Sequence, residues 1–364
     1  MEPEPHKAPV RFYEIDLLRF LAAIAVVLYH YTYRGYNAGN YSPIAFHEIG
    51  YFTKYGYLGV ELFFIISGYV VLLSAQGKTV RQFFLSRITR LYPAFWVACT
   101  LTFLVKCFFG TGTDDVNMSP YLHAGITQYV FNMTMLQGFM HMDNIDAAYW
   151  SLTTEISFYF LVSLLIGYGL LRHIDWALFV WLIFTALPSR FHMGTAFDSL
   201  LFPSYAPYFA AGMLFYLLQQ PQGRTKFRYA LLSISYLLAI RACKGQTAEF
   251  SILFHETFSW EIAAFWVTIF FLVFYLVSFR KINFSKFTWL SWPGALTYPL
   301  YLIHSDIAFI AFHRIGHLFN KYVLLCATVV TMLVVAFLIH VFVEKRFSKR
   351  LGIQVNSWLC KLPH

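Results

Sequence analysis

Charge is scarce in this sequence. Asp, Glu, Lys and Arg make up 12% of the 364 residues and hydrophobic residues 59%, whereas a soluble domain carries about twice that charged fraction. The five cysteines are scattered, with neither the close pairing of a zinc site nor the density of a disulfide scaffold. No cleavable signal peptide is visible, because residues 1–14 are polar and the first apolar run is followed by many others. These absences exclude an ordinary soluble domain and indicate an integral membrane protein.

Two catalytic signatures are also missing. The sequence contains no Gly-x-Ser-x-Gly elbow and no phosphate-cradling glycine-rich loop. Covalent serine catalysis of that type and nucleotide hydrolysis therefore have no support. The acidic loop with His141 and Asp143 lacks regular ligand spacing, so we expect no metal site and no bound cofactor.

Long apolar runs are plentiful, and they predict an all-α bundle of about ten transmembrane helices. A bilayer core of about 30 Å needs roughly 20 apolar residues per helix. Proline interrupts two of the predicted segments, and broken helices are tolerated where the backbone faces a cavity or protein. On this basis we predict helices near 15–33, 57–75, 91–109, 150–171, 175–189, 200–218, 228–240, 258–279, 294–312 and 322–343.

The distribution of basic residues predicts the orientation. With the N-terminus inside, most of the 27 Lys and Arg fall in inner connections or the tail, and the long outer loop 110–149 is acidic. We therefore expect a cytoplasmic segment 1–14, a transmembrane domain 15–343 and a cytoplasmic tail 344–364. The net charge of +9 is explained by topology and does not indicate a nucleic-acid partner.

Ionisable residues inside the hydrocarbon are costly and mark functional sites by default. Arg19 and His30 both lie in the first predicted helix, eleven residues and about 16 Å apart on nearly one face. A guanidinium binds phosphate bidentately, and a histidine can act as a general base. The simpler alternative is an arginine that reaches the interface and an interfacial histidine.

Five elements in order resemble the acyltransferase-3 family of integral membrane acyltransferases. The first is an Arg, ten residues and a His on a helix introduced by Glu-Ile-Asp-Leu-Leu-Arg. The third is a basic inner loop that leads into the third helix. The five elements span residues 14–304 as Glu14–His30, Gly59–Tyr69, Phe83–Trp96, Tyr149–Tyr159 and Leu296–His304.

The resemblance implies a ten-helix enzyme that takes an acyl group, commonly acetyl, from cytoplasmic acyl-coenzyme A. Its acceptor would be a hydroxyl of an envelope glycan such as lipopolysaccharide O-antigen, exopolysaccharide or peptidoglycan, free or lipid-linked. The expected location is a bacterial inner membrane, in contact with lipids. Arg19 and His30 match the family's functional pair. One departure is Glu344-Lys345-Arg346, where family members often have Glu-x-Pro, so the end of the last helix stays open.

The remaining candidate residues each have two interpretations. Glu61 could orient His30 or pair with a cation, and Arg87 and Arg90 could bind donor phosphates or only set topology. Glu155 suits a site role because an unpaired carboxylate there would be costly. His304 could line the cavity of His30 or be structural, and Asp306 points elsewhere because the two are only two residues apart. The other cavity candidates are Tyr149, Trp150, Ser151 and Tyr301.

Two rival functions remain at this stage. A transporter or flippase also has proline-broken helices and buried ionisable residues, although the chain lacks clear repeated halves. An inactive scaffold is the third possibility. Oligomeric state cannot be predicted, because lipid-facing and subunit-facing surfaces are both apolar.

Overall fold

The computed structural model describes residues 12–112, 115–187 and 195–359. This part of the chain is helical and contains no β-strand. The first half contains α1 (Tyr13–Tyr29), α2 (Gly35–Asn37), α3 (His47–Thr53), α4 (Gly59–Ala75), α5 (Val80–Phe109), α6 (Ile126–Asn132), α7 (Trp150–Gly167) and α8 (Ile174–Ala186). The second half contains α9 (Thr195–Leu201), α10 (Ala206–Gln219), α11 (Lys226–Phe254), α12 (Trp260–Ser278), α13 (Ser291–Ile303), α14 (Asp306–Ile315), α15 (Lys321–Leu338) and α16 (Lys345–Leu359).

Within the described residues, helices occupy most of each of the ten predicted segments, although the sixth, 200–218, is interrupted at residues 202–205 between α9 and α10. Seven helical stretches are long and apolar enough to cross a membrane, or eight if the bent pair α13–α14 is one span. The helices α8 and α11 fall outside this set, since α8 has only 13 residues and α11 carries charges such as Arg241, Lys244 and Glu249. The all-helical membrane class is therefore confirmed, and the number ten stays a prediction.

Three predicted boundaries were wrong. The third helix starts at Val80 rather than at residue 91, because the side chain of Thr79 and that of Gln82 cap each other's backbone N–H groups. The seventh predicted segment, 228–240, lies in the first half of the 29-residue α11, which continues to Phe254. The last helix does not end at 343, since π-helical turns at Ile339–Glu344 lead directly into α16.

The ends of the chain are only partly described. Residues 1–11 of the predicted N-terminal segment, 188–189 of the fifth predicted helix and 360–364 of the predicted tail lie outside the described residues. The rest of that tail is the helix α16, which packs on α5. Arg81 on α5 donates to the side-chain oxygen of Asn356 on α16 at 2.8 Å.

The centre of the bundle is built around α1, which packs against α4 on one side and α13 on another. The helices α4 and α10 cross at close range, where Gly68 faces the carbonyl of Phe209 and Gly212 faces that of Ile65. Small residues permit such close backbone approach between membrane helices. This packing positions α1, α4 and α13 around a shared interior space.

The ninth predicted segment is broken, although not at its proline. Pro299 lies within α13, and the chain bends by 65° between α13 and α14, at His304 and Ser305. The bend places the first residue of α14, Asp306, among buried polar groups. The break therefore presents His304 and Asp306 to the protein interior.

Candidate functional site

The first helix carries both Arg19 and His30. It runs without interruption from Tyr13 to Tyr29 and continues as π-helix over His30–Arg34. The two residues are therefore about 16 Å apart along the axis. Single π-helical turns are frequent at functional sites, and this one begins at His30 itself.

A cavity lies between α1, α4, α5, α7 and α13. The side chains of Arg19, Arg90 and Glu155 all line it. Gly294 packs against Asp16 near the level of Arg19, and Tyr301 lies seven residues, or about 10 Å, further along α13. The cavity thus extends along α13 from a basic region to Tyr301.

Glu155 is held in place by two hydroxyl groups. Ser67 Oγ donates to Glu155 Oε1 at 3.1 Å, and the hydroxyl of Tyr159 donates to the same oxygen. Both partners also line the cavity. Neither was predicted as a site residue, although Ser67 lies in the Gly59–Tyr69 element and Tyr159 lies one helical turn after Glu155.

His30 meets His304 at the break between α13 and α14. His30 Nδ1 lies 2.8 Å from the carbonyl of Val26, and His304 Nδ1 lies 2.8 Å from the carbonyl of Tyr301. A carbonyl only accepts, so Nδ1 carries the proton in both rings. His304 Nε2 then presents its lone pair to His30 Nδ1 at 3.4 Å. In this arrangement Nε2 of His30 is the unprotonated nitrogen, which is the atom that can accept a proton.

Tyr301 joins the histidine pair to the cavity. Its ring centroid lies 5.4 Å from that of His304, and its hydroxyl lies 2.7 Å from Ser151 Oγ. Tyr301 and Ser151 both line the cavity, whereas His30 and His304 lie on the far side of Tyr301. His304 and His30 are therefore in direct contact, although neither of them lines the cavity as His304 was predicted to do.

Only one of the two predicted arginines of the inner loop faces the cavity. Arg90 lines it with Arg19, whereas Arg87 is turned toward other partners. Arg87 Nη2 donates to Ser74 Oγ at 3.0 Å, and its guanidinium lies over the ring of Tyr159 at 5.5 Å. Arg87 therefore supports the cavity wall through Tyr159.

Three other candidates lie away from the cavity. Glu61 is buried on α4, and its carboxylate accepts a hydrogen bond from Gln246 on α11. Tyr149 donates to the carbonyl of Leu302 at 3.1 Å. Trp150 packs on other aromatic rings, with centroid distances of 6.3 Å to Phe64 and 5.2 Å to Tyr205.

A buried ion pair lies next to the histidines and was not predicted from the sequence. Lys106 Nζ lies 2.7 Å from Asp306 Oδ2, with side-chain exposures of 0% and 2%. Asp146 Oδ2 accepts from the backbone N–H of Asp306 at 3.1 Å, and Asp306 Oδ1 accepts from that of Ala147 at 3.2 Å. These bonds connect α5, the segment before α7 and the helix break. Lys106 was visible as an ionisable residue within a predicted helix, although nothing in the sequence identified its partner.

The comparisons with known proteins identify an integral membrane enzyme of the acyltransferase class. The family model described as "Acyltransferase domain" matches residues 12–341, which is most of the chain. The chain belongs to this family, the acyltransferase-3 family. Membership favours an acyl-transferring enzyme over a transporter and over an inactive scaffold.

One curated relative carries a more specific name than the family does. The peptidoglycan O-acetyltransferase OatA of Listeria monocytogenes is 26% identical over 218 residues, which is 51% of this chain and 32% of that protein. The chain therefore covers about a third of the length of this relative. No solved structure matches the chain.

Proposed function

We propose that this protein transfers an acetyl group from cytoplasmic acyl-coenzyme A to a hydroxyl group of an envelope glycan on the opposite side of a bacterial inner membrane. The observation that carries the proposal is the cavity that begins at Arg19 and Arg90 and ends at Tyr301, in contact with the His30–His304 pair. The O-acetyltransferase name of the relative supports the reaction type.

The basic region of the cavity suits the donor's phosphate groups. Two guanidinium groups, those of Arg19 and Arg90, line this region, and arginine recognises phosphate through paired N–H groups. Arg19 Nη1 lies 4.0 Å from Asp16 Oδ1, which holds the side chain in position. The pantetheine arm of the donor would then extend along the cavity and bring the thioester to Tyr301 and the histidines.

The histidine pair supplies the general base. His30 Nε2 accepts the proton of the acceptor hydroxyl as its oxygen bonds to the thioester carbonyl carbon. The carbon–sulfur bond breaks as the tetrahedral intermediate collapses, and the coenzyme A thiolate takes the proton from His30. The ester of the glycan and free coenzyme A leave, and the neutral histidine is restored. The bond to Val26 keeps the Nδ1 proton in place throughout.

The acceptor side follows from the predicted topology. We propose ten membrane crossings, with α8 and α11 completing the set, and with both termini in the cytoplasm. His30, at the C-terminal end of α1, then lies toward the outer surface and Arg19 toward the inner one. Donor and acceptor would approach from opposite sides and meet at the histidine pair.

The proposal is tested with purified protein in nanodiscs and acetyl-coenzyme A. We expect wild type to bind the donor and to hydrolyse its thioester slowly, with water as the acceptor. Arg19→Ala is expected to weaken donor binding at least about 10-fold, the scale of one charge-assisted pair. His30→Ala is expected to bind normally and to lose turnover by about 10²–10⁴-fold.

The matched control is Arg172→Ala, because Arg172 is an exposed arginine beyond the end of α7 and does not line the cavity. It should bind and turn over as wild type does. If wild type had no affinity for acyl-coenzyme A, the donor assignment would be wrong. Equal loss in Arg19→Ala and Arg172→Ala would show that the effect is only one of net charge.

A further inference from the structure

A second, polar cavity lies past the end of α1, a few residues further along the chain than His30. It is framed by the π-helical turn His30–Arg34, by α2, by α3 and by Glu256 after α11. Residues 32–37 of its wall are two to seven positions past His30, or about 3–10 Å along the helix axis. We call it the outer cleft and define it by Tyr36, Asn37, His47, Tyr51, Lys54 and Glu256.

The cleft is rigidly attached to the helix that carries His30. Thr32 Oγ1 lies 2.6 Å from Thr53 Oγ1, which joins α1 to α3. Gly50 packs against the carbonyl of Thr32, where an added Cβ would stand only 2.9 Å away. The position of α3 relative to the helical turn that contains both His30 and Thr32 is therefore fixed by direct contact.

Two tyrosine rings are open to the cleft. The side chain of Tyr51 is 69% exposed and that of Tyr36 is 44% exposed. The ring of Tyr36 is set edge-on against His47, with centroids 5.8 Å apart. Such rings offer an apolar face and a polar hydroxyl at low entropic cost. An anchoring role at the membrane interface would explain the rings alone, but not the polar groups between them.

The polar groups of the cleft are held in fixed positions. Tyr33 donates to Glu256 Oε2 at 2.7 Å, Asn37 Nδ2 donates to the carbonyl of Tyr33 at 3.0 Å, and Lys54 Nζ donates to that of Thr257 at 3.1 Å. In the described part of the chain these bonds leave Glu256 Oε1 and Asn37 Oδ1 as acceptors, and further N–H groups on Lys54. Preorganised donors and acceptors cost a ligand little on binding.

We infer that the outer cleft is the acceptor subsite and binds one uncharged pyranose ring of the glycan. A pyranose has an apolar C–H face, which suits the tyrosine rings, and an edge of hydroxyl groups that both donate and accept. One cation and one anion, Lys54 and Glu256, leave the cleft without net charge, so it favours a neutral sugar over an anionic one. The inference rests on the proposed function and deepens it by naming the ligand class and its contacts.

The test measures binding and acylation of uncharged tetrasaccharides of N-acetylglucosamine, glucose, galactose and rhamnose by the full-length protein in nanodiscs. Tyr51→Ala and Glu256→Gln are each expected to raise the KM or Kd of the preferred sugar at least about 10-fold. Their affinity for acetyl-coenzyme A and their slow thioester hydrolysis should equal those of wild type. Tyr121→Ala is the matched control, because Tyr121 is a 61% exposed tyrosine that does not line the cleft.

The outcomes separate the two proposals. Loss of sugar binding with intact donor hydrolysis supports the acceptor subsite. Sugar binding unchanged in both cleft variants, no binding of any uncharged tetrasaccharide by wild type, or an equal loss in Tyr121→Ala would overturn the inference while leaving the donor chemistry standing. Absence of donor binding in wild type would overturn the proposed function itself. Donor hydrolysis in each variant also verifies that the protein is folded.

Discussion

His30 and His304 form the contact on which the chemistry of this protein is proposed to depend. Each ring donates its Nδ1 proton to a backbone carbonyl of its own helix. The tautomer of His30 is therefore set by the α1 backbone, and the ring is held in orientation by His304 at 3.4 Å. A base oriented in this way works without reorganisation in each cycle.

The first prediction concerns His304 as a positioning residue. His304→Ala removes the acceptor that faces His30 Nδ1, so kcat should fall at least about 10-fold, part of the 10²–10⁴-fold that a positioned base supplies. Donor affinity should not change, because His304 does not line the basic part of the cavity. Steady-state kinetics with acetyl-coenzyme A measures both quantities. His304→Gln, whose amide oxygen can replace the imidazole acceptor, should recover part of the loss; no recovery, together with lost donor binding, would indicate a structural role only.

The second prediction concerns the buried pair of Lys106 and Asp306. Lys106→Met leaves a buried carboxylate without its partner and should lower the free energy of unfolding by about 3–5 kcal/mol. The double variant Lys106→Met, Asp306→Asn should be more stable than the single variant, because no unpaired charge remains. Thermal or denaturant unfolding in detergent measures the free energies of unfolding for this comparison of single and double variants. Additive effects of the two substitutions would contradict the pairing.

At the scale of single residues, the sequence predicts which ionisable side chains lie at the site better than it predicts which side chains they pair with. Arg19 and Glu155 were found because charges within apolar helices are costly, and Arg90 was found as an arginine of the basic inner loop; all three line the cavity. Lys106 lies 200 residues from Asp306, and no periodicity relates α5 to α14. Such a pairing depends on how the helices pack, which the pattern of one helix does not encode.

At the scale of elements, hydrophobic length predicted where helices occur but not where they bend. A proline disfavours helical backbone at the residue before it. Pro299 nevertheless lies within α13, and the bend follows five residues later. The bend is stabilised by tertiary hydrogen bonds, among them the one that the backbone N–H of Asp306 donates to Asp146 Oδ2. The early start of α5 is, in contrast, indicated by the sequence itself, through the Thr-x-x-Gln capping pattern before Val80.

The third prediction concerns the crossing of α4 and α10. A methyl group at Gly212 would collide with the carbonyl of Ile65, so Gly212→Ala should force the helices apart and cost about 1–3 kcal/mol. Gly245→Ala is the control, since no atom lies within 4 Å of its added Cβ within α11. The control should be neutral or stabilising by up to about 1 kcal/mol. Melting temperatures in detergent compare the two, and equal values would contradict the close crossing.

The fourth prediction concerns pH. Arg314 binds both carboxylate oxygens of Asp115, at 2.6 and 3.1 Å, and thereby attaches the outer loop to α14. This pairing, with the N–H of Gly112, lowers the pKa of Asp115 from 3.8 to about 2. Because the folded pKa is the lower one, the stabilisation is complete above about pH 4 and is lost as pH falls toward 2.

Asp115→Asn is the variant that isolates this effect. Its melting temperature should lie slightly below that of wild type at neutral pH, and the difference should disappear near pH 2. Asp143→Asn changes another carboxylate of the same loop, one without an ion pair in the described residues, and serves as the control. A difference between wild type and Asp115→Asn that does not depend on pH would contradict the ion pair.

At the scale of the whole molecule, orientation decides which substrate reaches which end of the site. In a cysteine-free background, Val116→Cys in the outer loop should react with a membrane-impermeant maleimide added to intact spheroplasts. Ser357→Cys in α16 should react only after the membrane is opened. Both positions are exposed in the structure, so burial cannot explain a difference. Labelling of Ser357→Cys from outside would place the C-terminus, and with it the donor end of the cavity, on the outer side of the membrane and would contradict the proposed orientation.

The most direct measurement of the central claim is acetyl transfer across a sealed membrane. Proteoliposomes of known orientation receive labelled acetyl-coenzyme A on the Arg19 side and a pyranose oligosaccharide on the His30 side. Labelled ester should form on the oligosaccharide with wild type, and should be reduced by about 10²–10⁴-fold with His30→Ala and strongly with Arg19→Ala. Equal ester formation when donor and acceptor are supplied on the same side only, or undiminished transfer by His30→Ala, would contradict the account.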